Sequence, residues 1–129
     1  MNKSTKILIS VMIIILCILC IYKFFPFGTM EYDDLENIDN LDVPKYSNSV
    51  EVSGNQIIIT SLRSAFVLEH EMNGIIDKYE KYKCEGETVY YSSESDLTID
   101  GYTIDSWGLL NRITIVFKTG YKIPNECVK

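Results

Sequence analysis

An apolar run near the N-terminus, Ile7–Tyr22, limits what this chain can fold into more than any other feature. Its 16 residues include one polar side chain, Ser10. A membrane-spanning helix needs about 20 apolar residues, and three phenylalanines continue the run to residue 27, interrupted by Lys23 and Pro26. A lysine there can extend its ammonium group to the interface, and proline ends a helix. Residues 7–27 are therefore predicted to be a single membrane span within an anchor covering residues 1–30.

Two other fates of this segment fit parts of the pattern. A cleaved signal peptide needs small residues at the cleavage site, but the chain's single alanine is Ala65, so Gly28 or Thr29 would have to serve. A lipoprotein would carry its acyl chain on Cys17 or Cys20, yet each of these follows a leucine where a small residue is expected. The uncleaved anchor is the favoured interpretation.

The flanking charges predict the direction of the span. Lys3 and Lys6 precede it, whereas Lys23 is followed by no further base until Lys45. Because positive charge is retained on the cytoplasmic side, the N-terminus is predicted to be cytoplasmic and the rest of the chain extracytoplasmic.

The net charge of that outer part limits the classes of partner that it can bind. Beyond residue 30 the chain keeps all 18 of its acids and nine of its 12 bases, a formal charge of −9. Such a surface repels phosphate backbones, so nucleic acid is excluded as an expected partner. Basic proteins, cations and neutral glycans remain compatible with it.

The acids are concentrated just after the anchor. Residues 31–42 contain six acids and no base, which is typical of a solvated segment, and residues 31–46 are predicted to be an acidic linker. Residues 47–129 then form one small domain. Its two cysteines, Cys84 and Cys127, are predicted to form a disulfide, as an oxidising compartment favours; free thiols are the alternative, expected if the orientation is reversed.

Hydrophobic periodicity predicts an α+β domain. Residues 49–53 and 56–60 flank a Gly-Asn turn and should form a hairpin, and apolar residues at helical spacing predict a helix over 64–82. Strands are expected at 88–92 and 112–118. Asp100-Gly101 is either a hairpin turn or a bulge within one long strand. The predicted fold is an antiparallel sheet packed on one helix.

Recognisable catalytic chemistry is missing from the sequence. His70 is the sole histidine, which excludes zinc sites that need two imidazoles, and no nucleophile or phosphate-binding motif occurs. We predict no catalytic residue, metal ligand or cofactor. An enzyme with an unrecognised site, for example around Glu94, Asp96 and Asp105, stays the alternative, as does an assembly protein that acts through its transmembrane helix.

Aromatic side chains give the best candidate interaction surface. Tyr90, Tyr91, Tyr102 and Trp107 all lie in the β-rich part, where alternation places the adjacent Tyr90 and Tyr91 on opposite faces. Exposed aromatic side chains can form a binding patch, although they also simply suit strands. The expected function is that of a membrane-anchored binding or accessory protein of the cell envelope with an unidentified protein partner.

Overall fold

The structure is a computed structural model that describes residues 2–33, 35, 38, 40–120 and 122–129. The described chain has two helices, α1 (Lys3–Phe24) and α2 (Ala65–Asp77). Its eight strands are β1 (Thr29–Tyr32), β2 (Leu41–Pro44), β3 (Ser49–Ser53), β4 (Gln56–Ser61), β5 (Glu80–Cys84), β6 (Glu87–Ser92), β7 (Leu97–Trp107) and β8 (Leu110–Thr119). The predicted architecture, an apolar N-terminal helix followed by a small α+β domain, is confirmed.

Helix α1 begins and ends as its sequence dictates. The side chain of Asn2 accepts a hydrogen bond from the Thr5 amide at 2.8 Å and caps the first turn. The helix ends two residues before Pro26, and none of its residues is buried. Its length and apolar composition suffice to cross a bilayer. An apolar helix without a protein partner for its surface requires an apolar solvent or another chain around it.

Six strands form one antiparallel sheet in the order β3-β4-β8-β7-β6-β5. The predicted hairpin is confirmed as β3 and β4, with Gly54-Asn55 between them. Strand β8 alternates cleanly, so that Ile113, Ile115 and Phe117 are buried on one face. The hydrophobic core lies on that face.

Helix α2 covers the buried face of the sheet. Ser64 caps the helix by accepting a hydrogen bond from the Val67 amide at 3.3 Å. The helix buries Leu68, Met72 and Ile75, three residues at helical spacing. The core that they join is almost entirely aliphatic and includes Ile57, Ile59, Leu97, Ile99, Ile113 and Ile115.

The prediction of a helix as far as Tyr82 is wrong at its C-terminal end. Helix α2 stops at Asp77, and residues 80–84 form strand β5 at the edge of the sheet. Tyr82 pairs with Val89 of β6, and Gly86, with a φ of +74°, makes the turn between the two strands. In the sequence, Tyr79 and Tyr82 continue the helical spacing of apolar residues. Pairing with β6 makes residues 80–84 a strand instead.

The structure also differs from the prediction of a solvated linker over residues 31–46. Strands β1 and β2 pair as a two-stranded ribbon in and beside this range. Ile38, Leu41 and Val43 are buried in the core, because apolar residues placed among acids can turn inward while their charged neighbours stay in water. Residues 34, 36, 37 and 39 of the range lie outside the described residues.

A buried arginine joins α1 to the domain. Arg63, between β4 and α2, is fully buried, and its Nη1 lies 3.0 Å from Oε1 of Glu71. Its guanidinium also donates to the carbonyls of Tyr22 (3.1 Å), Lys45 (3.1 Å) and Phe25. Two of these carbonyls belong to the end of α1 and the residue after it, so Arg63 fixes the helix end to the domain. We call this set of contacts the junction.

Candidate functional site

A cleft of about 580 Å³ lies between α2 and the sheet. Four elements supply most of its walls: the last turns of α2, the edge strand β5, its neighbour β6, and the middle of β7. The lining residues are Asn73, Ile76, Asp77, Tyr79, Lys81, Thr88, Tyr90, Asp100, Gly101 and Tyr102. We call this site the tyrosine cleft. Its volume lies in the range of about 300–1,000 Å³ that is usual for small-ligand sites.

A β-bulge shapes the cleft. The pairing of β7 with β8 shifts between Ile99 and Gly101, which leaves Asp100 as the extra residue. The bulge confirms one of the two structures predicted for Asp100-Gly101. Because an extra residue reverses the alternation that follows it, Tyr102 shares the helix-side face with Ile99. Without the bulge, Tyr102 would point to the opposite face of the sheet.

Tyrosine hydroxyls line this cleft as neutral groups. The Tyr102 hydroxyl donates a hydrogen bond of 2.6 Å to Oδ1 of Asn73, which ties β7 to α2 across the cleft. Burial, with a smaller contribution from the Glu69 carboxylate, raises the pKa of Tyr102. Burial and the nearby Asp42 carboxylate raise the pKa of Tyr79 to about 12. At neutral pH both hydroxyls therefore keep their protons and offer hydrogen bonds.

The charged groups of the cleft favour a cationic ligand. Asp77 and Asp100 place two carboxylates in the lining, against one ammonium group, that of Lys81. Tyrosine rings beside them can attract a cation through their faces. Among the described lining residues none is a histidine or a cysteine, so this set suits binding better than acid–base or nucleophilic chemistry.

The four aromatic residues singled out in the sequence divide between the two faces of the sheet. Tyr90 and Tyr102 lie in the tyrosine cleft, partly packed on the core. Tyr91 and Trp107 lie on the opposite face, where the Tyr91 hydroxyl contacts Oδ1 of Asp96 at 3.4 Å. The structure therefore forms no single patch from the four residues.

Trp107 stands at one end of that opposite face. Trp107 is the last residue of β7, and a tight turn at residues 108–109 connects it to β8. Its side chain is 63% exposed, and the guanidinium of Arg112 lies 4.9 Å from its ring centre. Such stacking pairs a cation with an exposed ring.

Cys84 and Cys127 lie at disulfide-bonding distance, with their sulfur atoms 2.03 Å apart. Cys84 ends strand β5, and the neighbouring Lys83 forms an isolated β-bridge with Val128. The C-terminal segment is thereby held against the edge of the sheet. Cys17 and Cys20 are unpaired and exposed on α1.

The acidic trio considered for an unrecognised enzyme site does not converge. Asp96 stands just before the start of β7, whereas Asp105 lies near its other end, paired in register with Arg112. Glu94 borders a separate small hollow. Among the described residues, no group of three or more histidine, cysteine, aspartate or glutamate side chains is arranged to hold a metal ion.

Sequence reasoning missed both Arg63 and Asn73. Arg63 carried a usable signal, because it is one of only two arginines and stands in the apolar stretch from 57 to 68. Asn73 carried none, because its role depends on a bulge in β7 that the sequence left open. Comparison of the chain with protein-family models, curated proteins and solved structures finds no match.

Proposed function

We propose that this chain is a single-pass membrane protein whose domain lies outside the cytoplasm and binds a protein partner through the tyrosine cleft. The apolar, unburied helix α1 supports the anchor. The Cys84–Cys127 pair supports an oxidising location for the domain. The lysines before α1 support a cytoplasmic N-terminus.

The observation that carries the binding role is the composition of the cleft. Carboxylates of Asp77 and Asp100 share one concave site with the tyrosine rings. A lysine side chain of a partner protein fits this chemistry, because its ammonium group pairs with carboxylates and its aliphatic stem packs on aromatic rings. The net negative charge of the domain would also attract a basic partner.

Topology is tested by thiol labelling of intact cells. Ser93, an exposed residue in the turn between β6 and β7, is replaced by cysteine in a chain that also carries Cys17→Ser and Cys20→Ser. A membrane-impermeant maleimide is then applied before and after lysis. We expect labelling of Ser93→Cys in intact cells and none of the matched chain without it, since Cys84 and Cys127 are bonded.

Other labelling results identify the other fates of the chain. Protection of Ser93→Cys until lysis, with Cys84 and Cys127 then labelled as well, places the domain in the cytoplasm and overturns the proposed location. A shortened, labelled product in the medium shows cleavage of residues 1–27 as a signal peptide. A fully labelled background chain in intact cells shows that the disulfide does not form.

The cleft is tested with a defined cationic probe. The full chain in detergent micelles is titrated with N-acetyl-lysine methylamide and with the neutral analogue N-acetyl-norleucine methylamide, with NMR shifts of the Asn73 side-chain amide as the readout. We expect saturable shifts with the lysine compound alone, lost in the Asp77→Asn, Asp100→Asn double variant. Asp105→Asn, outside the cleft, serves as the control. Equal shifts with both compounds, or none with either, contradict the proposed ligand class.

A further inference from the structure

We propose that the domain rests on the bilayer, with the end of the sheet next to the junction inserted into the interfacial layer of the lipid that α1 enters. The inference depends on the proposed anchoring through α1. It adds a second contact with the membrane, made by the domain itself. It does not involve the tyrosine cleft.

Large apolar side chains are exposed at this end of the domain. Phe66 is 81% exposed, Leu109 is 75% exposed and Trp107 is 63% exposed. Leu62 and Leu110 are also exposed. We call these five residues the apolar rim. A cluster of this kind marks a contact with a membrane or another protein more often than a solvated surface.

Hydrogen bonds place the apolar rim around the end of α1. The Lys23 ammonium group donates to the Leu62 carbonyl at 3.1 Å, and the Ser64 amide donates to the Lys23 carbonyl at 2.9 Å. These contacts bring Leu62 and the start of α2, which carries Phe66, beside the point where α1 leaves the domain.

Hydrogen bonds of Asn111 place the β7–β8 turn at the same end of the domain. Its side-chain amide donates to the Arg63 carbonyl at 2.7 Å and its Oδ1 accepts from the Ser106 hydroxyl at 2.6 Å. Trp107 and Leu110 are the chain neighbours of Ser106 and Asn111 and pair with each other across the turn. All five rim residues therefore lie at the end of the domain from which the anchor departs.

The chemistry of the rim matches the interfacial layer of a bilayer. Tryptophan prefers that layer, as do basic side chains that reach phosphate groups. Arg112, which stacks on Trp107 and lies opposite Asp105 in the pairing of β7 with β8, supplies such a base. Residues 106–119, which include the turn and all of β8, contain no acid. In the β1–β2 ribbon, by contrast, the acidic pair Glu31 and Asp42 lies towards the end away from the junction. The negative charge of the domain is thus no obstacle to lipid contact at the rim.

The junction holds the rim in place against the membrane. Arg63 donates hydrogen bonds to the carbonyls of Tyr22 and Phe25, and its charge is paired with that of Glu71. The Tyr22 hydroxyl donates to the Tyr46 carbonyl at 3.2 Å. A helix held in this way cannot pivot freely relative to its domain, so once α1 spans the bilayer the rim is carried to its surface.

The test uses Trp107 as a built-in probe, because it is the only tryptophan in the chain. The full chain is reconstituted into phosphatidylcholine vesicles, with or without bromine on the acyl chains near the headgroup, and vesicle-bound protein is isolated by flotation. Variant Leu109→Ser removes an exposed rim side chain. Variant Val52→Ser, at the far end of β3 and also exposed, is the matched control.

We expect brominated lipid to quench Trp107 emission several-fold in the floated wild type and in Val52→Ser, with markedly less quenching in Leu109→Ser. Circular dichroism verifies that the variants are folded. Flotation with no quenching, and with Trp107 fully open to aqueous iodide, overturns the lipid contact but leaves the anchor intact. Failure of the chain to float overturns the anchor, and with it this inference.

Discussion

Arg63 and Glu71 form a buried ion pair in which one guanidinium nitrogen, Nη1, contacts both carboxylate oxygens, at 3.0 and 3.1 Å. A buried pair stabilises a fold only when its remaining hydrogen-bonding groups are satisfied. Here the backbone carbonyls of Tyr22, Phe25 and Lys45 accept from the guanidinium, and the Gly28 amide donates to Glu71 at 3.2 Å. The pair therefore joins three segments: the end of α1, the middle of α2 and the residues that flank the ribbon.

Glu71→Gln should destabilise the fold strongly. The substitution keeps the shape of the side chain but leaves the Arg63 charge buried without a counter-charge, which costs about 3–5 kcal/mol. Urea unfolding of the full chain in detergent micelles, followed by circular dichroism, gives the free energy of unfolding. Glu69→Gln, two residues away on the exposed side of α2, should change it by no more than about 0.5 kcal/mol. Equal effects of the two substitutions would show that the ion pair is open to water.

The parts of the fold that the sequence predicts are those governed by local patterns. The β3–β4 hairpin follows from alternation around Gly54-Asn55, and the start of α2 follows from Ser64 preceding an apolar helical stripe. Strand β8 follows from strict alternation. In each case the chain segment carries its own signal, because its buried residues recur at the period of the element.

The parts of the fold that the sequence does not predict depend on contacts between distant segments. Strand β5 forms because Tyr82 finds a partner in Val89 and because Cys84 approaches Cys127. The burial of the ribbon depends on the packing of Leu41 and Val43 against core residues from distant segments. The tyrosine cleft depends on one extra residue, Asp100, in β7. No local sequence pattern indicates any of these contacts. The sequence therefore identifies Tyr90 and Tyr102 as candidate residues but does not predict that they lie opposite α2.

The disulfide should account for a large share of the stability of the domain. Cys84 and Cys127 are 43 residues apart, and closing a loop of that length stabilises by about 4 kcal/mol in the chain-entropy treatment. The double variant Cys84→Ser, Cys127→Ser should unfold at correspondingly lower urea, whereas Cys17→Ser, Cys20→Ser should not. Alkylation of unfolded, unreduced protein should modify two thiols by mass; modification of four would show that the bridge is absent.

Stability should fall at high pH because of Tyr79. Its pKa in the folded chain is about 12, raised by burial and by Asp42, whereas an unfolded tyrosine titrates near 10. Below pH 10 the hydroxyl is protonated in both states. Between about pH 10 and 12 only the unfolded chain loses the proton, so the stability that this group contributes is lost as the pH rises through that window.

Tyr79→Phe isolates this effect from the other tyrosines. The variant should show a flatter decline in the free energy of unfolding between about pH 10 and 12 than the wild type. Tyr46→Phe, at an exposed position, should decline as steeply as the wild type does. An identical decline in all three chains would mean that Tyr79 titrates normally in the folded state.

Two glycines should respond to alanine in opposite directions. Gly74 lies within α2, and a methyl group added there meets no atom within 4 Å. Gly74→Ala should therefore raise the free energy of unfolding by about 0.4–1 kcal/mol, because alanine restricts the unfolded chain and favours the helix. Gly54 has equally open surroundings but a φ of +60° in the β3–β4 turn, where alanine costs about 1–2 kcal/mol.

Steric crowding does not distinguish Gly74 from Gly54, because a methyl group added at either position meets no atom within 4 Å. Both sites are open, so a difference in sign between Gly74→Ala and Gly54→Ala in urea unfolding arises from backbone conformation alone. Gly74 also borders a small hollow with Thr29 and His70, away from the tyrosine cleft, so Gly74→Ala should leave the response to the lysine probe unchanged. A loss of stability in Gly74→Ala would indicate that α2 packs more closely against the segment after α1 than its open surroundings show.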